Sequence, residues 1–150
     1  MAEIHDNIFY HVAPTILGEG SIIMPGNWGR VMRFNNEVTV PLLREHIFEL
    51  VRVTKHPDKP SRMNCLFVLD KLQDAEHYRA KYKPSEIIYQ VSIDAPITTI
   101  HRGNYELPIP TGYHLVEGLY QLATKYWTEA AEQFVEVLIP ASATVMRRIG

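Results

Sequence analysis

Gln133-Phe134-Val135-Glu136-Val137-Leu138-Ile139-Pro140 is an apolar run broken by one carboxylate. The run reads as a buried strand, and burying an unpaired charge is expensive. Glu136 must therefore face a cleft, meet a partner or take up a proton. Strand alternation puts Phe134, Glu136 and Leu138 on one face and Val135, Val137 and Ile139 on the other. A glutamate between Phe134 and Leu138 is not what a plain solvent face looks like, although the exposed side of an edge strand is the simple alternative. Near the other end, Phe9-Tyr10-His11-Val12 is an apolar strand carrying one imidazole. Two polar groups on two apolar strands, far apart in sequence, predict a site assembled where strands meet.

The remaining pattern fills in around these two strands. Residues 7–13 read as the first strand, and 18–30 as a turn-rich loop with Gly18, Gly20, Pro25, Gly26 and Gly29 around Ser21-Ile22-Ile23-Met24. Pro41 opens a helix with Leu43, Ile47, Leu50, Val51 and Thr54 at helical spacing, and Pro57 stops it. A second apolar strand covers 63–69, after which Asp70 is predicted to cap a short helix ending near Tyr82. Residues 86–94 alternate cleanly, and 97–101 continue that strand or pair with it. The stretch 103–112, with Pro108, Pro110 and Gly112, reads as a loop. Thr111 is the expected cap of a long helix with Leu115, Leu119, Leu122, Ala123 and Tyr126 on one face. The last strands fall at 133–139 and 144–149. Helices and strands mix without regular βαβ alternation, so the expected class is α+β, in one domain spanning residues 1–150.

Composition narrows the function classes. The chain has 150 residues, is 46% hydrophobic, and carries a net charge of −2, so no global field draws it to nucleic acid or an anionic membrane. A single cysteine, Cys65, excludes an internal disulfide and fits a reducing cytoplasm; its apolar neighbours predict a buried structural thiol. Met1-Ala2-Glu3-Ile4-His5-Asp6 lacks the pattern of a secretory signal, and no apolar run approaches the roughly 20 residues that span a bilayer. A soluble, cytoplasmic protein is expected, with no membrane partner. The histidines show neither HxH nor HExxH spacing and one cysteine cannot build a zinc site, so no metal is expected. No GxSxG elbow is present.

Further candidates lie beside the strands. His11 offers one donor and one acceptor, suited to a hydroxyl or to a carbonyl; a satisfied edge residue is the alternative. Ser61 and Arg62 precede the second strand and are expected at its mouth, as ligand contacts or as a solvated strand end. Phe67 at that strand is either core or a ring for stacking on a flat heterocycle.

Taken together, the motifs resemble the ADP-ribosyltransferase family over nearly the whole chain. Phe9-Tyr10-His11-Val12, followed by Leu17-Gly18-Glu19-Gly20-Ser21-Ile22-Ile23-Met24-Pro25-Gly26, is similar to the opening of small bacterial members, including the rifamycin-modifying type. Asn64-Cys65-Leu66-Phe67 with Asp74-Ala75-Glu76-His77-Tyr78 resembles the second motif, and Glu136-Val137-Leu138-Ile139-Pro140 the third. The arrangement is the His–aromatic–Glu one rather than Arg–Ser–Glu. Phe67 stands where tyrosine is common, Phe134 where Glu or Gln often sits two residues before the glutamate, and Val12-Ala13 where Gly-Thr or Gly-Ser is usual.

The resemblance implies two packed small β-sheets flanked by helices, and NAD as co-substrate. His11 would hydrogen-bond a ribose hydroxyl, the backbone of Val12 would clamp the nicotinamide amide, and Phe67 would flank the nicotinamide ring. Glu136 would grip the nicotinamide-ribose 2′-hydroxyl and stabilise the oxocarbenium-like transition state, with Ser61 and Arg62 as further contacts. Arg30 and Arg33, whose guanidinium forks match phosphate oxygens, are candidates for the pyrophosphate. The implied activity is NAD-dependent transfer of ADP-ribose to an unidentified acceptor (protein, nucleic acid or small molecule), in a toxin, phage or defence setting. A catalytically inactive nucleotide-binding module on the same scaffold is the alternative, and an interaction protein docking through helices 41–55 and 112–131 is a third.

Overall fold

The computed structural model describes residues 7–96 and 99–150. Two small antiparallel sheets and four α-helices make an α+β architecture among the described residues. The first sheet has the order β1-β4-β7-β2, built from Ile8–Ala13, Ile87–Ile93, Ala143–Arg148 and Ile22–Ile23. The second has the order β3-β6-β5, built from Leu66–Val68, Val135–Ile139 and His101–Asn104. The helices are α1 (Asn27–Arg33), α2 (Val40–Lys55), α3 (Leu72–Tyr82) and α4 (Leu115–Thr128), with a 3-10 turn at Arg62–Asn64.

Period-two side-chain placement builds the core. Phe9, Tyr89, Val91, Ile93, Ala143 and Val145 of the first sheet meet Leu66, Val68, Val135, Val137 and Ile139 of the second in one dry layer. The other face of the second sheet carries Leu138 and Phe67 toward α2 and α4. Those two helices supply Ile47, Phe48, Val51, Leu119, Leu122, Ala123, Tyr126 and Trp127. Trp127 fastens them together, its indole N–H donating to the Phe48 carbonyl at 2.9 Å. The smaller α3 covers the outer face of the first sheet through Ala75 and Tyr78, against Tyr10, Val12 and Ile88.

Several local expectations need correction. The loop expected over 18–30 turns helical at Asn27, and Gly29 serves a close approach rather than a turn. A Cβ on it would lie 2.1 Å from the Met63 carbonyl oxygen. The strand expected at 63–69 is only Leu66–Val68, since Ser61 accepts from the Met63 N–H and starts the 3-10 turn instead. Asp70 does not cap α3; it takes Arg102 in a bidentate ion pair at 2.7 and 3.2 Å, and Lys71 stands at the cap position. Likewise His114, not Thr111, precedes α4. Of the segment expected to extend 86–94, residues 97–98 lie outside the described residues. The strand that begins at His101 pairs with β6 in the other sheet. The cap of α2 is Thr39, whose hydroxyl accepts from Leu42 N–H at 3.3 Å, with Pro41 in the first turn where its missing donor is harmless.

Candidate functional site

β6 is the central strand of its sheet, not an edge, and all five of its residues are buried. The exposed-edge alternative for Glu136 is thereby excluded; 8% of the residue is accessible. Alternation holds from Val135 onward, but Phe134 leaves the pattern with a φ of 51°, so it does not share the face of Glu136 as expected. Glu136 points with Leu138 toward the helices, where the chain has gathered the means to keep a charge.

Arg62 is the centre of that gathering. Its Nε and Nη2 donate to the two oxygens of Glu45 on α2, each at 2.9 Å. Its Nη1 donates to Glu136 Oε1 at 2.5 Å and to the Tyr126 hydroxyl at 2.7 Å. Tyr126 in turn donates to the same Oε1 at 3.0 Å. The guanidinium carbon lies 4.9 Å from the centre of the Phe67 ring, 5.0 Å from that of Tyr126 and 5.5 Å from that of Phe48. Gly103 makes this possible from the opposite strand. It sits across from Glu136, and a Cβ there would fall 2.2 Å from the Tyr126 ring.

Electrostatics follow from this geometry. Burial works against the Arg62 charge, but Glu136 and Glu45 outweigh it and raise its pKa well above the ordinary value. Burial also opposes the Glu45 carboxylate, and Arg62 wins again, holding its pKa below the usual range. The Trp28 indole N–H lies close enough to Glu45 to contribute, without completing a hydrogen bond of normal geometry. Burial pushes the Tyr126 hydroxyl well up, so it stays protonated and donates.

The expected position of Ser61 and Arg62 at an open strand mouth is corrected by these contacts. Ser61 donates to Glu49 at 2.8 Å, and Arg62 is 6% exposed with each of its three side-chain nitrogens donating to a protein group. Arg30, read as the end of the loop, and Arg33 beyond it both stand exposed on α1, Arg30 donating to Asn27 Oδ1 at 2.6 Å.

His11 approaches Phe67 from the other side, through the main chain. Its Nδ1 donates to the Phe67 carbonyl at 2.8 Å. A carbonyl can only accept, so the hydrogen resides on Nδ1 and the neutral ring presents Nε2 as an acceptor. Burial lowers the His11 pKa, partly offset by that carbonyl, which favours the neutral form. Beside it β1 and β3 diverge. Tyr10 exchanges two main-chain bonds with Leu69, at 2.9 and 2.8 Å, and the pairing goes no further. Main-chain groups alternate in direction along a strand, so the N–H and C=O of Val12 point the same way as those of Tyr10, away from β4. No partner meets them among the described residues. The result is a wedge between two strand edges, lined by the Val12 main chain and His11.

The structure thus brings His11, Phe67, Arg62 and Glu136 into one chain of contacts and leaves Arg30 and Arg33 outside it. A separate open depression of about 360 Å³, beside Lys59, His101 and Trp127, contains none of these residues. Glu45 and Tyr126 are the hydrogen-bonded neighbours of this cluster that the sequence reading missed. Tyr126 was legible only as a core residue, whereas Glu45 sits three positions before the buried Phe48 on the packed face of α2.

A family model described as "Protein of unknown function (DUF2441)" matches residues 15–150, a span that begins just after β1 and so omits His11 and Val12. No curated protein matches the chain.

Proposed function

This chain belongs to the DUF2441 family, and we propose that it is an NAD-dependent ADP-ribosyltransferase on an ADP-ribosyltransferase-like scaffold. The observation that carries the reading is the wedge beside β1. There an imidazole fixed as an Nε2 acceptor adjoins a main-chain donor and acceptor without partners. A carboxamide needs such a donor–acceptor pair, and a ribose hydroxyl needs an acceptor. Phe67 joins this wedge to Glu136 through the guanidinium over its ring. Both hydrogen bonds to Glu136 land on Oε1, and Oε2 receives none among the described residues.

In this reading the Val12 main chain holds the nicotinamide amide, and His11 and Glu136 Oε2 accept from ribose hydroxyls. The C1′–N bond breaks with its electron pair leaving on nicotinamide, while the negative charge of Glu136 stabilises the cation developing at C1′. The acceptor's nucleophilic atom then bonds to C1′ and gives up its proton. Arg30 and Arg33 are the candidates for the pyrophosphate.

A second reading, a nucleotide-binding module without turnover, is favoured by the Arg62 contact that partly compensates the Glu136 charge. Nicotinamide release from labelled NAD⁺ separates the two. The first reading expects release by the native protein. It also expects a fall of about 10²–10³-fold in Glu136→Gln with NAD⁺ affinity retained, because the interaction strengthens in the transition state. Equal turnover in Glu136→Gln and the native protein rejects catalysis at this residue, and binding without release favours the second reading. Arg30→Ala and Arg33→Ala that both leave NAD⁺ affinity unchanged remove the pyrophosphate assignment.

A further inference from the structure

We propose that Arg62 is a positioning residue for Glu136, held in place by Glu45; this rests on the transferase reading above. Arg62 does not contact substrate in this assignment. It fixes the rotation of the Glu136 carboxylate so that Oε1 is occupied and Oε2 is presented.

Three features point past mere fold stability. First, the bidentate grip of Glu45 on Nε and Nη2 defines the plane of the guanidinium, so Nη1 meets Glu136 in one orientation. The rings of Phe48, Phe67 and Tyr126 restrain it further. Second, Nη1 and the Tyr126 hydroxyl converge on the same oxygen of Glu136, at 2.5 and 3.0 Å. A pair built only to neutralise a buried carboxylate would be expected to satisfy both oxygens. Third, the one guanidinium bridges two carboxylates from different elements, so the Glu136 carboxylate is held in a poorly solvated place. An oriented carboxylate is what a developing ribosyl cation requires. Replacing buried ion pairs by apolar groups is often neutral or stabilising, so a three-residue charged cluster is better explained by what it orients.

The test compares native protein, Arg62→Lys, Glu45→Gln and Tyr126→Phe by nicotinamide release and by calorimetric titration with NAD⁺, which counts binding-competent sites. Lysine keeps the charge of Arg62 but loses the planar fork. Glu45 is 3% exposed and hydrogen-bonds Arg62 rather than Glu136, so its effect on turnover reports on the hold it has on that guanidinium. The expected result is a fall in kcat per competent site of about tenfold or more in Arg62→Lys and Glu45→Gln, with NAD⁺ affinity within about twofold. Tyr126→Phe should show a smaller fall of the same kind. A purely structural role instead lowers Tm and the number of competent sites while leaving kcat per site unchanged, and that result overturns the proposal. Should Arg62→Lys fail to fold, Glu45→Gln and Tyr126→Phe decide between the same two outcomes. Native protein that releases no nicotinamide rejects the transferase reading and this inference together; native turnover with unchanged variants rejects the inference alone.

Discussion

The two faces of β6 are built on opposite principles. Toward the first sheet, Val135, Val137 and Ile139 enter an apolar layer, and Val137 and Ile139 are 0% and 1% exposed. Toward the helices, one residue away along the same backbone, Glu136 enters a cluster of two carboxylates, a guanidinium and a phenol. The first face needs only shape and volume; the second works only if every partner is in place. Stability should therefore degrade gradually on one face and abruptly on the other.

The largest expected effect tests the charged face. Arg62→Ala strands Glu45 and Glu136 in a buried site without their cation and should lower unfolding stability by about 3–5 kcal/mol. A loss near 1 kcal/mol in chemical denaturation would mean that water reaches the cluster, and the contrast between the faces would fail. On the dry face, Val137→Ala removes two methyl groups from a fully packed position and should cost about 2 kcal/mol. Nicotinamide release per folded molecule should stay at the native value; a lost turnover at native stability would show that the two faces are not independent. The smallest effect is a slope with pH. His101 is buried beside Tyr126 and Trp127 and donates Nε2–H to the Tyr126 carbonyl at 2.9 Å, and burial lowers its pKa to about 4. Its folded pKa is below the unfolded value, so the unfolded chain binds the proton more readily. The stability it contributes is present above pH of about 6.5 and is lost as pH falls toward about 4. His101→Asn should flatten that part of the stability profile, read from midpoints of urea unfolding across the window.

Legibility in the sequence divided along the same line. The dry face could be read from Val135-Glu136-Val137-Leu138-Ile139 because alternation of apolar residues is a local signal, and Glu136 stood out against it. Its partners did not. Arg62 follows Pro60-Ser61 and looks like a solvated strand end, and Glu45 lies between Arg44 and His46, where a charged run ordinarily marks an exposed helix face. Their burial comes from a contact 17 positions apart in sequence, which no local pattern carries. Leu50 fails in the opposite sense: it fits the helical stripe but is 47% exposed, because α4 covers the adjoining face of α2. The α1 helix was hidden by Gly29, which reads as a turn former when only its own neighbourhood is considered. The pairing of β5 with β6 rather than β4 is likewise a choice between distant strands of similar composition.

The Tyr10–Leu69 rung has a consequence for how much backbone the molecule can offer a visitor. It acts like the stop of a zipper between the two sheets. Closed by one further rung, Val12 N–H would take the Phe67 carbonyl, His11 would be left without its anchor, and no main-chain donor would face the gap. Opened by one rung, the strand edges would be free to separate, and the imidazole would lose the carbonyl that sets its tautomer. With the stop where it is, one residue's worth of donor and acceptor is withheld from the sheet, next to a histidine whose remaining nitrogen can only accept. The selectivity of such a gap is a matter of register: an insertion of one residue in β1 would shift which groups are withheld without changing a single side chain's chemistry.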